Sequence, residues 1–109
     1  MKRILFFFFT ATLLSLTNSQ AQCDLFFSGY AEGSSNNKFL EIYNPTDSDV
    51  DLTAYAFPSV SNAPDVPGVY DYWNTFPEGA VVAAGDVYVI AHSSADLLIF
   101  SEADAFHNY

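Results

Sequence analysis

An all-β domain is predicted beyond residue 21 by two features of the chain: short apolar runs alternate with turn-forming residues, and no sustained period near 3.6 residues runs through them. A third feature bounds its size. Once a leader is set aside, what remains of the 109 residues suffices for one domain, close to the lower limit at which a core holds without staples.

The leader opens the chain. Lys2 and Arg3 give a short positive region, residues 4–16 are almost wholly apolar, and Ser19-Gln20-Ala21 puts small residues at the two outer positions of a signal-peptidase site. Residues 1–21 are therefore expected to be a signal peptide, with the mature chain starting near Gln22 and residues 22–109 forming the domain. The apolar run is about 13 residues, short of the roughly 18 to 20 that cross a bilayer, so an anchor built on residues 6–9 is the weaker reading and no transmembrane segment is expected. Lipidation of Cys23 is disfavoured because Gln20 and Gln22 are too bulky and polar for that site, which leaves free secretion or the cell surface. Cys23 is the single cysteine and has no disulfide partner within the chain.

Charge narrows the partners. All 13 Asp and Glu lie beyond residue 21, where Lys38 is the only Lys or Arg. Nucleic-acid binding draws on Lys and Arg displacing counterions from phosphates, so no direct nucleic-acid binding is expected. The acidity favours solubility and leaves weak calcium association open, but does not bear on the fold.

Each element has a local reason. In the first strand Leu25, Phe27 and Gly29 alternate with Phe26, Ser28 and Tyr30, so both faces are apolar, as in a strand with neighbours on either side. Glu32-Gly33-Ser34-Ser35-Asn36-Asn37 favours a turn. A second strand over Lys38–Tyr43 sets Leu40 and Ile42 against Phe39, Glu41 and Tyr43, and Asn44-Pro45-Thr46 stops it, because proline removes a ladder donor and restricts the residue before it. Residues 49–56 alternate as a third strand with one wet face. Residues 58–68, with three prolines and Gly68, read as a long loop, and residues 69–76 as a short aromatic edge strand. After the turn Pro77-Glu78-Gly79 come strands over residues 80–83 and 87–92. A helical turn over residues 95–101 and the start of a strand at residues 105–109 close the chain.

Three stretches in this order resemble the lamin tail domain of secreted bacterial proteins. The first runs from Leu25-Phe26-Phe27-Ser28-Gly29-Tyr30 through Glu32-Gly33-Ser34-Ser35-Asn36-Asn37-Lys38. The second is Leu40-Glu41-Ile42-Tyr43-Asn44-Pro45-Thr46 followed by Val50-Asp51-Leu52-Thr53-Ala54-Tyr55, and the third is Gly85-Asp86-Val87-Tyr88-Val89-Ile90-Ala91-His92. The resemblance implies an immunoglobulin-like antiparallel β-sandwich. It also implies departures: family members often carry an acid where Gly29 stands and a glycine where Ala54 stands, and they continue past Tyr109 into further strands. The domain is therefore expected to be truncated at its C-terminus, the alternative being an incomplete sandwich with an exposed edge.

Candidate chemistry is sparse. His92 and His107 are the only histidines, and neither belongs to a Gly-x-Ser-x-Gly elbow, a His-Glu-x-x-His pair or a Cys-His arrangement, so no catalytic residue is assigned. Asp47, Asp49 and Asp51 resemble the opening of a calcium loop, but Leu52 stands where that loop needs Gly and Pro58 where it needs a bidentate Glu. No metal or cofactor is assigned. The Gly33 to Lys38 loop joins two strands, unlike a phosphate cradle, and Glu32, Asn36 and Asn37 could fix its turn. Within the resemblance, Glu32, Gly33, Asn36, Asn37, Lys38, Glu41 and Asn44 form a structural motif in which Lys38 could pair with Glu32 or Glu41. Tyr70, Tyr72, Trp73 and Phe76 form an aromatic group that could cap an open end of the sandwich or bind a protein or carbohydrate partner.

The function expected from the resemblance is that of a non-catalytic accessory binding or scaffolding module of an exported bacterial protein. Two alternatives stay open: the N-terminal module of a secreted nuclease or phosphatase with its catalytic domain beyond residue 109, and a calcium-stabilised surface adhesion module.

Overall fold

The computed structural model describes residues 24–60, 63–64 and 66–108. The expected signal peptide, Cys23 and Tyr109 lie outside them. Among the described residues six strands, β1 (Phe26–Glu32), β2 (Lys38–Tyr43), β3 (Val50–Asp51), β4 (Val81–Val82), β5 (Val87–Ala91) and β6 (Ala105–Phe106), form two sheets, with a one-turn helix α1 (Leu97–Phe100) before β6. The larger sheet has the order β1-β2-β5-β6, and β3 pairs with β4 in the smaller one. Two facing sheets agree with the all-β domain the pattern predicts and with the β-sandwich the resemblance implies. No helix among the described residues is long and apolar enough to cross a membrane.

Register decides which side chains meet. β1, β2 and β5 are antiparallel, with Phe27 opposite Ile42, Tyr30 opposite Leu40, Leu40 opposite Ile90 and Ile42 opposite Tyr88. Residues directly opposite each other share a face, so Leu40, Ile42, Tyr88 and Ile90 point together at the smaller sheet. There they meet Leu52, Phe57, Ala80 and Val82, and the buried members of this group form the core. Leu52, Val82 and Ile90 are essentially inaccessible, each worth roughly 1.5–3 kcal/mol of burial. Ile90→Ala would cost about 2–5 kcal/mol.

Asn44 joins the two sheets. Its backbone N–H donates to the Asp86 carbonyl at 3.0 Å, and its side-chain Nδ2 donates to the carbonyls of Ser48, Val82 and Ala83 at 2.8, 3.1 and 3.1 Å. Its Oδ1 accepts from the backbone N–H and hydroxyl of Thr46 at 3.0 and 2.7 Å. The side chain is fully buried and every polar atom of it is used, so the turn after β2 is locked to the end of β4.

Four expectations need correction. β1 ends its sheet among the described residues rather than lying between two neighbours; Phe27 and Tyr30, on the face that Ile42 and Leu40 share, stay exposed at 61% and 66% because the facing layer does not cover them. The strand expected over residues 49–56 stops after Asp51 and becomes a single 3-10 turn, Leu52–Ala54. The cause is local: Asp51 Oδ1 accepts from the backbone N–H and hydroxyl of Thr53 at 2.8 and 2.7 Å, offering the backbone a turn in place of a ladder. Residues 69–76 form no continuous strand; they touch the preceding segment through isolated bridges, Ala56 with Thr75 and Ser59 with Tyr72. Finally, β6 lies parallel to β5, with Ile90 beside Ala105 and Ala91 beside Phe106. The intervening chain, including α1, is long enough for the crossover that parallel pairing needs.

Candidate functional site

A register shift in β1 shapes one wall of a concavity among the described residues. Between Phe27 and Gly29 the pairing with β2 slips, so Ser28 is an extra residue and Phe27 and Tyr30, three apart in sequence, fall on the same face. Gly29 makes room on the opposite face: a Cβ there would stand 3.0 Å from Glu41 Cβ. Glu41 Oε1 accepts from the Ser28 hydroxyl at 2.8 Å, holding the bulge.

Phe27 and Tyr30 then form one wall of a groove of about 510 Å³, whose opposite wall is Phe57, Pro58, Ser59, Val60 and Tyr72. The second wall is held by backbone bonds: Ser59 N–H donates to the Tyr72 carbonyl at 3.0 Å, and the Tyr72 N–H returns to Ser59 at 3.0 Å. Buried Asn74 supports it from behind, its Nδ2 donating to the Phe57 carbonyl at 3.0 Å and to Ser59 Oγ at 3.1 Å. Phe57 in this wall also belongs to the core.

Polar groups gather at one end. Lys38 Nζ lies 3.1 Å from Glu32 Oε1, and the Tyr30 hydroxyl donates to Glu32 Oε2 at 2.6 Å. The Tyr30 hydrogen bond, then the Lys38 ammonium, hold the Glu32 carboxyl below the usual carboxylate range. Of its two candidate partners Lys38 takes Glu32; Glu41 is engaged by Ser28 instead.

The remaining candidates are placed as follows. Backbone bonds close the turn before β2: Gly33 N–H donates to the Asn37 carbonyl at 2.8 Å and Lys38 N–H to the Asn36 carbonyl at 2.8 Å. The Asn37 side chain does not fix its own turn, but reaches Asp96 at the start of α1. Tyr70, Tyr72 and Trp73 are exposed, and the rings of Tyr70 and Trp73 meet edge-on at 6.2 Å. Phe76 leaves this group. It packs at 5.1 Å from Phe57 and 5.7 Å from Tyr88, because its side of the segment faces the core.

Of the aspartates, Asp49 accepts from the Ala84 N–H at 3.0 Å and Asp51 caps its 3-10 turn. Among the described residues there is no group of three or more His, Cys, Asp or Glu that could hold a metal ion. His92 Nδ1 accepts from the Ser94 N–H at 3.0 Å, while the Ser93 hydroxyl donates to Asn108 Oδ1 at 2.6 Å, so no Ser–His hydroxyl contact forms. His107 lies edge-on to Phe57, and burial lowers its pKa.

The groove contains Tyr72 but is otherwise built from residues not singled out as a surface, namely Phe27, Tyr30, Phe57 and Val60. The available signal was the excess of apolar residues on both faces of the first strand, which assigned them to the interior.

A family model described as Lamin Tail Domain matches residues 18–108. The chain matches no curated protein and no solved structure.

Proposed function

We propose a function from one premise: the chain belongs to the lamin tail domain family. That family is an immunoglobulin-like, non-enzymatic domain, and the two-sheet sandwich agrees with it. On this reading the domain is an accessory binding or scaffolding module of an exported bacterial protein, carried out of the cytoplasm by the signal peptide at residues 1–21 and acting outside the cell or on its surface.

The observation that carries the reading is the groove between Phe27 and Tyr30 on one side and Val60 and Tyr72 on the other. Concave, aromatic-lined surface of this size, with a few polar groups at one end, is what ligand sites are made of. Exposed aromatic surface is retained at binding sites because its contact area comes at small conformational cost.

The test is to express the full chain with its leader in a bacterial host and probe the exported product against arrays of peptides and glycans. Retention on one class, lost in the double variant Phe27→Ser/Tyr72→Ser, is the expected result. A product that stays in the cytoplasm, or retention on neither class, contradicts the proposal.

A further inference from the structure

We infer that the groove receives an extended segment of a partner protein bearing arginine or lysine side chains. The inference rests on the binding-module reading and adds the chemistry of the ligand. First, the groove presents exposed rings on both sides, Phe27 and Tyr30 from β1 and Tyr72 from the facing segment. An aromatic face attracts a cation through its quadrupole, and the alkyl stem of Lys or Arg covers apolar surface while its head stays solvated.

Second, the charge of the chain beyond residue 21 is one-sided, while the groove wall itself carries one paired acid and base, Glu32 and Lys38. Lys38 is the only Lys or Arg beyond residue 21, against 13 acids. It lines the groove and is already paired with Glu32 at 3.1 Å. An arriving cation therefore meets no unpaired positive side chain in the wall and a negative field from the rest of the molecule. Third, β1 borders the groove and ends its sheet among the described residues. An extended segment laid there lies alongside a strand edge, the arrangement by which sheets take up extended peptides. A second copy of this chain would bring the same excess of acids and be repelled, and a neutral glycan would gain nothing from the field.

The inference is tested with the full chain and three labelled probes followed by fluorescence anisotropy: a nonapeptide alternating Arg and Val, one alternating Glu and Val, and cellohexaose. The Arg/Val peptide should bind at least about tenfold more tightly than the Glu/Val peptide, and more weakly as salt rises. Phe27→Ser and Tyr72→Ser should each weaken it about fivefold or more, whereas Trp73→Ser, outside the groove, should leave it within about twofold. All three side chains are exposed, so these variants retain the fold.

Equal binding of the Arg/Val peptide by the groove variants would mean diffuse attraction to an acidic surface and would overturn the inference. So would no binding of it at about 1 mM peptide. Cellohexaose binding that is lost in the same variants would overturn the cationic ligand while leaving the binding-module reading intact. Failure of that reading shows separately, as absent export or absent retention on the arrays.

Discussion

Asn37 and Asp96, 59 residues apart, exchange two hydrogen bonds: Asn37 Nδ2 donates to Asp96 Oδ2 at 2.6 Å, and Asn37 Oδ1 accepts from the Asp96 backbone N–H at 2.7 Å. The pair ties the turn before β2 to the start of the crossover between β5 and β6. Asp96 occupies the N-cap position of α1 but makes no capping bond with its side chain, since its carboxylate is engaged by Asn37. A double-mutant cycle of Asn37→Ala and Asp96→Ala should give a coupling of about 1 kcal/mol by urea unfolding. Additive losses would mean that the two ends are held independently.

Asn44 should be far less tolerant. Asn44→Ala removes the donor to three carbonyls, one of them buried, and the acceptor for Thr46. The expected loss is about 2–4 kcal/mol, seen as a lower denaturation midpoint at unchanged slope. A loss below about 0.5 kcal/mol would show that the sheets are not joined there.

Gly33 is required by close approach. A Cβ on it would sit 2.7 Å from the Asn37 carbonyl oxygen, a backbone atom that closes the turn. Gly33→Ala should therefore cost about 1–3 kcal/mol, although alanine elsewhere restricts the unfolded chain and stabilises. Gly79→Ala, with open space but a φ of 76°, should lose stability through backbone strain alone, by about 1 kcal/mol.

Acid should weaken the fold in two stages of the same sign. Burial lowers the His107 pKa, so below about pH 6.5 the unfolded chain takes up a proton more readily than the folded one. The stability fully present above that pH is then lost as pH falls toward the folded value. Glu32, held down by Tyr30 and Lys38, and Asp51, held down by the Thr53 hydroxyl and N–H, add a second loss as pH falls through the carboxylate range toward their lowered folded values. Melting temperatures measured from pH 8 to pH 3 should hold level down to about pH 6.5 and fall below it, and His107→Gln should flatten only the first stage. A melting temperature that rises between pH 7 and pH 5 would contradict this account.

How far the sequence foretold the molecule depended on whether the deciding interaction was local. The short β-forming apolar runs of residues 38–43 and 87–91, bounded by Asn44-Pro45 and Gly85-Asp86, located β2 and β5, because composition and punctuation agree there. The alternation of residues 49–56 misled, since a single Asp51–Thr53 contact outweighed it. β1 misled for another reason. Its two apolar faces fit an interior strand, and only the register with β2 reveals the bulge at Ser28 that turns Phe27 and Tyr30 to one side. Phe76 and Tyr72 looked equivalent, yet one packs on Phe57 while the other lines the groove, a difference set by chain segments far away in sequence. The parallel docking of β6 likewise depends on how the crossover folds back, which two strand residues do not announce.

The most direct test of the account is where a cationic ligand lands. In an amide NMR titration of the chain with the Arg/Val nonapeptide, shifts should concentrate at Phe27, Tyr30, Ser59, Val60 and Tyr72. The Asp47 to Asp51 segment and α1 should stay unmoved. Shifts spread over the acidic loops with the groove silent would contradict the claim that this groove is the domain's binding surface.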